Sequence, residues 1–323
     1  MSAVGTVAVA GASGFVGRHI VRELLARGRE VRALVRSTEK AAGALPVDDR
    51  LTIVEGDMFD EAALLRLMAG CVAVVNATGI IREAPGGQTF KRVHVAAVAR
   101  LVEAAAKARC DRIVHISALG VSEDGRTEYY RSKFEGEQVV RSAGMAWTIF
   151  RPSTIHGRDG EFMRMAKGWA TGRIAPYVFM PYFARVKKAF PKPVLESPRI
   201  QPVFVEDVAR AVATSLERDA AVGEVYHLSG GETLTWPELL EFVRDHTPLA
   251  RKGIRPLPIP GELAAMKARA MTRLGLGALL PFDEGMARMG AADSVAPATK
   301  AREHLDFRPA GFRETAAAYI SGM

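Results

Sequence analysis

Cysteine is scarce in this chain. There are two in 323 residues, Cys71 and Cys110, each in an apolar context. Two isolated thiols exclude a disulfide framework and suit a reduced interior. No Cys/His spacing of a zinc site is present, so no metal is expected. No run reaches the roughly 18 apolar residues of a spanning helix. No basic segment precedes the first apolar run, so no secretory signal is read and a cytoplasmic setting is the expectation. Acidic residues are the minority charge, 36 against 44 basic, leaving a net charge of +8. That excess suits an anionic cofactor, the inner face of an anionic membrane or an acidic protein partner. Without a zinc finger or an RNA-binding aromatic motif, nucleic acid is not an expected partner.

What is present is alternation. Short β-branched runs at 7–10, 30–35, 51–54, 72–77, 112–117 and 147–152 are separated by amphipathic stretches near 15–27, 60–69, 90–108 and 130–143. The stretch FKRVHVAAVARLVEAAAKA carries apolar residues at helical spacing. Strand and helix in turn predict βαβ units: an α/β, Rossmann-type, doubly wound parallel sheet with helices on both faces. This regular pattern spans residues 1–155. Residues 156–323 read as a smaller, irregular C-terminal lobe for substrate or partner, interleaved with the sheet. The proline-rich stretch 174–202 predicts loop and short strands. In TWPELLEFV, Thr235 and Glu238 predict a capping box.

The stretch VAVAGASGFVGRHI places Gly11, Gly14 and Gly17 between a strand and a helix. Gly11 permits a tight turn, Gly14 close approach of a pyrophosphate, and Gly17 close packing of helix on strand. The helix N-terminus offers free N–H groups and partial positive charge to phosphates. Ser13, Phe15 and Val16 complete this cofactor loop. An NAD site places a carboxylate near the end of the second strand, about 20 residues on. Here LVRSTEK has Arg36 and Ser37 instead, with Lys40 nearby. A guanidinium beside a hydroxyl suits a 2′-phosphate, so NADP(H) is expected over NAD(H).

GASGFVG, ALVRS, EGDMFD, NATG, HISALG and YYRSKFEGE together resemble the short-chain dehydrogenase/reductase superfamily, in its atypical, NmrA-like or extended branch. The pattern is similar to the NADPH-binding accessory subunit of respiratory complex I and its bacterial relatives, through YYRSKFEGEQVVRSAGMAWTIFRPSTIHG, QPVFVEDVARAV and LDFRPAGFRETAAAYI. The resemblance implies roles. Asp57 and Met58 would lie at the adenine, and Ala77, Thr78 and Gly79 beside the adenosine ribose. Pro152 would lie near the nicotinamide. Tyr129 and Lys133 would form a Y-x-x-x-K pair, with Lys133 holding ribose hydroxyls and lowering the tyrosine pKa. Ser117 joins them in the catalytic set, nearer the ribose.

Two positions depart from the pattern. Reducing members carry a hydroxyl two residues after Ser117 to polarise the substrate carbonyl; here that position is Leu119, which has no donor to offer. Ser122 or Thr127 are the available substitutes. The fourth helix reads R-V-H-V where the family has R-V-N-V, so His94 is either a packed core histidine or a polar neighbour of the active-site helix. The segment 164–192 mixes Trp, Tyr and Phe with Arg and Lys; it reads as the cover of a substrate lobe or as a membrane or partner contact. Three functions stay open: an NADP(H)-dependent oxidoreductase or epimerase/dehydratase on a small organic substrate; a non-turnover NADP(H)-binding accessory or sensor subunit; and a peripheral membrane reductase of a lipophilic substrate.

Overall fold

In the computed structural model, which describes residues 5–84, 86–188 and 194–323, the chain forms two compact units. The first comprises Met1–Pro152, Val205–Leu228 and Pro297–Arg308, and the second Ser153–Phe204, Ser229–Ala296 and Pro309–Met323. The expected boundary at 155 therefore describes only one of several crossings. The strand Glu224–Leu228 pairs in parallel with the sheet's sixth strand, and that hydrogen bonding draws 205–228 into the first unit.

The first unit is a seven-stranded parallel sheet. Its strands β1 (Val7–Ala10), β2 (Val31–Val35), β3 (Leu51–Glu55), β4 (Ala73–Asn76), β5 (Arg112–Ile116) and β6 (Ala146–Pro152) are joined by Glu224–Leu228. The spatial order is Glu224–Leu228, β6, β5, β4, β1, β2, β3. The chain thus runs outward from β1 to β3, then returns to build the other half from β4. Every residue of β1 and β4 is buried, as parallel strands covered on both faces must be. The connecting helices are α1 (Phe15–Ala26), α2 (Thr38–Ala42), α3 (Glu61–Met68), α4 (Ala97–Lys107) and α5 (Glu128–Arg141). They pack in two groups, α1 with the helix Val205–Ser215, and α3 with α4 with α5. The core joins Ala8, Leu64, Leu67, Leu101, Ile113 and Ile149 with the free thiols Cys71 and Cys110. Burial pushes the Cys110 thiol up to about 12, so it is inert.

The long periodic stretch at 90–108 is not one regular helix. Residues Lys91–Ala96 form a π-helical turn that runs into α4. Such a turn carries one extra residue and often marks a functional site; hydrophobic periodicity does not reveal it.

The second unit is built around Met163, Trp169, Met180, Leu239, Leu240, Val243, Phe312 and Tyr319. The proline-rich stretch departs from expectation: Phe179–Lys188 is a ten-residue strand. It pairs in parallel with Arg255–Pro260, whose sequence RPLPIP places proline at every second position. Alternate residues of a strand direct their N–H groups to the same side, and this strand is at the sheet edge, so no ladder bond is forfeited. Within 164–192, Trp169 is buried and donates its Nε1–H to Ala175 O, which makes it a core residue of this unit. Residues 189–192 of that segment lie outside the described residues. No described helix is long and apolar enough to cross a membrane.

Candidate functional site

The strand order reverses between β1 and β4, which stay parallel, and the loops leaving those two strands meet there. Gly11 has φ of +77°, and a Cβ on it would sit 2.9 Å from the carbonyl carbon of Ala77. A Cβ on Gly17 would fall 2.0 Å from Gly11 O, so only glycine lets α1 start this close to β1. Gly14 is the N-cap of α1 and makes no side-chain cap, and the first turn holds no acidic residue. The first helical bond outward is Arg18 N–H to Gly14 O at 3.0 Å. The amides of Phe15, Val16 and Gly17 precede it, as at any helix start. This uncapped, positively polarised turn beside a side-chain-free cradle fits a diphosphate.

The adenosine end is more open. Arg36 is exposed at the end of β2 and, among the described residues, makes no ion pair or hydrogen bond. Ser37 is the N-cap of α2: its Oγ accepts the Lys40 N–H at 3.3 Å. Its hydroxyl therefore has a structural task that the sequence reading did not foresee. Glu55, at the end of the neighbouring β3, accepts the Thr38 N–H at 3.4 Å. Asp57 is exposed, with Oδ1 taken by the Phe59 N–H at 2.7 Å, and Met58 packs against the core.

At the ends of β4 and β5 a polar network is buried. Asn76 and His115 are register partners. Asn76 Oδ1 accepts from the Thr78 backbone at 3.1 Å and from Thr78 Oγ1 at 2.6 Å; its amide then faces His115 Nδ1 at 3.0 Å. With Nδ1 accepting, His115 carries its proton on Nε2, which is buried with no partner among the described residues. The Ser117 hydroxyl is likewise buried and unpartnered among them, while its N–H bonds Phe150 O. Orphaned polar atoms of this kind at the ligand end of a sheet fit a bound group.

His94, in the π-helical turn, joins this network to α5. Its Nε2 accepts the Ile80 N–H at 3.1 Å, so Nδ1 carries the proton toward Ser132 Oγ at 2.9 Å. Ser132 Oγ donates to Tyr129 O at 3.0 Å. Burial, then the charge of Lys133, lowers the imidazole pKa to about 2, so it is neutral. His94 combines both readings: it is a packed core histidine and a polar neighbour of α5. Its ring stacks on Phe90 and meets the Tyr129 ring edge-on, with centroids 5.5 Å apart in both cases.

Tyr129 and Lys133 occupy one face of α5, capped by Thr127, whose Oγ1 accepts the Tyr130 N–H at 3.3 Å. Thr127 is thus spent as a buried cap and Ser122 is exposed. Leu119 has its N–H on Pro152 O at 2.8 Å. One expectation is corrected. Lys133 does not lower the Tyr129 pKa; burial, then the neighbouring Tyr130, raises it, so the phenol stays protonated. The ammonium instead donates to Ile116 O at 3.0 Å. Burial lowers its own pKa to about 8, an effect partly offset by Glu137. Glu137 is fully buried and held by both nitrogens of the Arg151 fork, at 2.8 and 2.7 Å. A Cβ on Gly79 would lie 2.9 Å from Lys133 Nζ and 3.7 Å from His94 Nε2, so the Ala77–Gly79 loop and α5 share one site. Asn76, His115, Ser132 and the Glu137–Arg151 pair were missed from sequence. The available signal was polarity inside the apolar runs VAVVNA and RIVHIS.

A doubly wound sheet with an uncapped glycine turn at its switch point defines a dinucleotide-binding protein. The NAD(P)H-binding family model matches residues 11–168. The chain is 28% identical to the mitochondrial NADH dehydrogenase (ubiquinone) 1 alpha subcomplex subunit 9 of Dictyostelium discoideum, over 74% of this chain and 63% of that one. It is 30% identical to the ceramide reductase of Caulobacter vibrioides, over 94% of this chain and 86% of that one. Of the complex I relatives the chain spans somewhat under two thirds of their length. In fold it is similar to the UDP-glucuronic acid 4-epimerase of Bacillus cereus in complex with UDP-glucuronic acid and NAD, with a TM-score of 0.71, 18% identity and 98% of each chain covered. The chain belongs to the NAD(P)H-binding family, with complex I subunits and a ceramide reductase among its relatives.

Proposed function

We propose that this chain is an NADP(H)-dependent reductase in which Tyr129 gives a proton to a carbonyl oxygen. The supporting observation is the half-buried, protonated Tyr129 phenol, beside Lys133 and His94 at the Ala77–Gly79 loop. Gly11, Ser13, Gly14, Phe15, Val16 and Gly17 would hold the diphosphate. Arg36 with Lys40 would hold the 2′-phosphate, a role that supports NADP(H) over NAD(H). Asp57 and Met58 would flank the adenine, and Pro152 the nicotinamide. Bound there, a reduced nicotinamide supplies a hydride to the carbonyl carbon. As charge develops on the carbonyl oxygen, Tyr129 Oη transfers its proton to it and is then reprotonated from solvent. Lys133, mostly charged at neutral pH, has two ammonium protons beyond the one given to Ile116 O; these would hold ribose hydroxyls. Ser117 Oγ is a buried hydroxyl at this end of the sheet with no partner among the described residues. The relative named ceramide reductase supports a lipophilic carbonyl compound as substrate class.

Leu119 favours a second reading, a nucleotide-binding accessory subunit without turnover; the complex I relatives are named as subunits of a larger enzyme. A missing donor at a developing oxyanion typically costs about 10²–10³ in rate. The test begins by releasing any bound nucleotide and identifying it by mass. NADPH absorbance is then followed with long-chain ketones, quinones and nucleotide sugars. Tyr129→Phe is expected to lower kcat by at least about 10²-fold, with nucleotide affinity and Tm retained. Turnover that survives this substitution removes Tyr129 from the chemistry.

A further inference from the structure

Helices on protein surfaces turn their large apolar residues inward. The helix Gly261–Arg273 in the second unit does the reverse. Its buried face consists of Gly261, Ala264, Ala265 and Ala268, which pack on the helix Glu284–Gly290 and around Phe183, Ile259 and Phe282. On the opposite side Leu263, Met266 and Leu274 are 61%, 64% and 71% exposed. With Ala270 between them they follow helical spacing and form one ridge. The next turn continues it with Leu276 and Leu279, at 44% and 72%. Single exposed leucines are ordinary, but a continuous ridge marks an interaction surface.

The charges beside the ridge are mostly of one sign. On the helical wheel Lys267 borders one flank, and Arg269 and Arg273 border the other. Among the described residues none of the three makes an ion pair. The only carboxylate between 261 and 280, Glu262, lies 3.6 Å from Arg288. A second copy placed on this ridge would bring the same three cations together, so charge opposes self-association.

We infer that this ridge docks the protein on an anionic lipid surface. Thirteen residues are too few to span a bilayer, so the helix lies in the interface plane. Leu263, Met266, Leu274 and Leu279 enter the acyl boundary, while the Lys267, Arg269 and Arg273 stems carry their charges up to lipid phosphates. This surface is independent of the reading of Tyr129, and it differs from the segment 164–192, whose Trp169 is core.

The test is co-sedimentation of the full chain, carrying any nucleotide it purifies with, on vesicles of phosphatidylcholine with and without phosphatidylglycerol. Binding is expected on the anionic vesicles and should weaken as salt rises. Replacing Lys267, Arg269 and Arg273 by Ser should lower partitioning about a hundredfold, at about fivefold per cation. Leu263→Ser with Met266→Ser and Leu274→Ser should lower it at least about tenfold. All six positions are exposed or border solvent, so Tm and nucleotide content serve as folding controls. A single Leu274→Trp should add blue-shifted emission on anionic vesicles. Failure of the wild type to sediment, or sedimentation unchanged in both multiple variants, overturns the inference. So does a concentration-dependent dimer that the Ser ridge variant abolishes while vesicles are ignored, which would assign the ridge to a second copy.

Discussion

The two units bury polar groups differently. At the ligand end of the first unit's sheet, Asn76, His94, His115, Ser132, Lys133 and Glu137 are all buried, most of them linked by hydrogen bonds. Among the described residues the second unit hides one pair of comparable kind, His156 with Tyr319 at 2.8 Å, inside a cluster of aromatic rings. Its other charges, such as Arg185 with Asp293, remain near solvent. Burying polar groups is costly unless each finds a partner. A unit that concentrates them at the open ends of its strands holds a preorganised site there; a unit that packs rings against rings holds shape.

The contrast is sharpest at Glu137. Its carboxylate has no exposed surface, and Arg151 supplies both of its close hydrogen bonds. Arg151→Leu is expected to destabilise the fold by about 3–5 kcal/mol, because an uncompensated buried charge remains. Adding Glu137→Met should restore most of that loss. Urea unfolding of the single and double variants checks both. A double variant no more stable than Arg151→Leu would mean the arginine acts by packing rather than by charge.

Acid should act on both units. His94, His115 and His156 have pKa values lowered by burial to about 2, about 3 and about 3. Each is neutral when folded, whereas the unfolded chain takes up a proton near pH 6.5. Their contribution to stability is complete above about pH 6.5 and is lost as pH falls toward the folded values. Each histidine adds a slope of about 1.4 kcal/mol per pH unit below 6.5. Urea midpoints measured between pH 8 and 5 should show it, and His94→Asn should flatten the slope. An unchanged slope would contradict a neutral His94.

At the open adenosine end, Arg36→Ala should weaken NADPH binding about 10- to 100-fold, as expected for a lost charge-assisted contact, and leave NADH nearly unaffected. Titration calorimetry with both nucleotides decides it. Equal losses would point to Glu55, across the sheet, as the residue that reads the ribose. The smallest effect belongs to the second unit. Glu238 Oε2 accepts both the backbone N–H and the hydroxyl of Thr235 at 2.7 Å, the capping box expected from TWPELLEFV. Glu238→Ala should cost about 1 kcal/mol, read from the urea midpoint.

The sheet was legible because its signals are local. VAVA, AVVN and RIVHI are apolar runs of strand length, and helix periodicity lies between them. The glycine loop was legible because each glycine answers a steric demand of the turn itself. The second unit was less so: RPLPIP reads as a breaker of strands until its edge position is known. At the site, Tyr129, Lys133 and Ser117 could be named from sequence, but the direction of the Tyr129 shift could not. It depends on burial and on Tyr130, and on Lys133 donating to Ile116 O.

By itself, the sequence determined the fold class, the cradle for a dinucleotide and the spacing of Tyr129 and Lys133 on α5. These follow from the spacing of neighbours along one chain. Tertiary structure alone decided that His94 bridges Ile80 to Ser132, that Glu137 is matched by Arg151, and that a helix of alanines turns its leucines outward. Protonation, pairing and exposure are set by what lies across space from a residue, and that is fixed only when the strands and helices have packed.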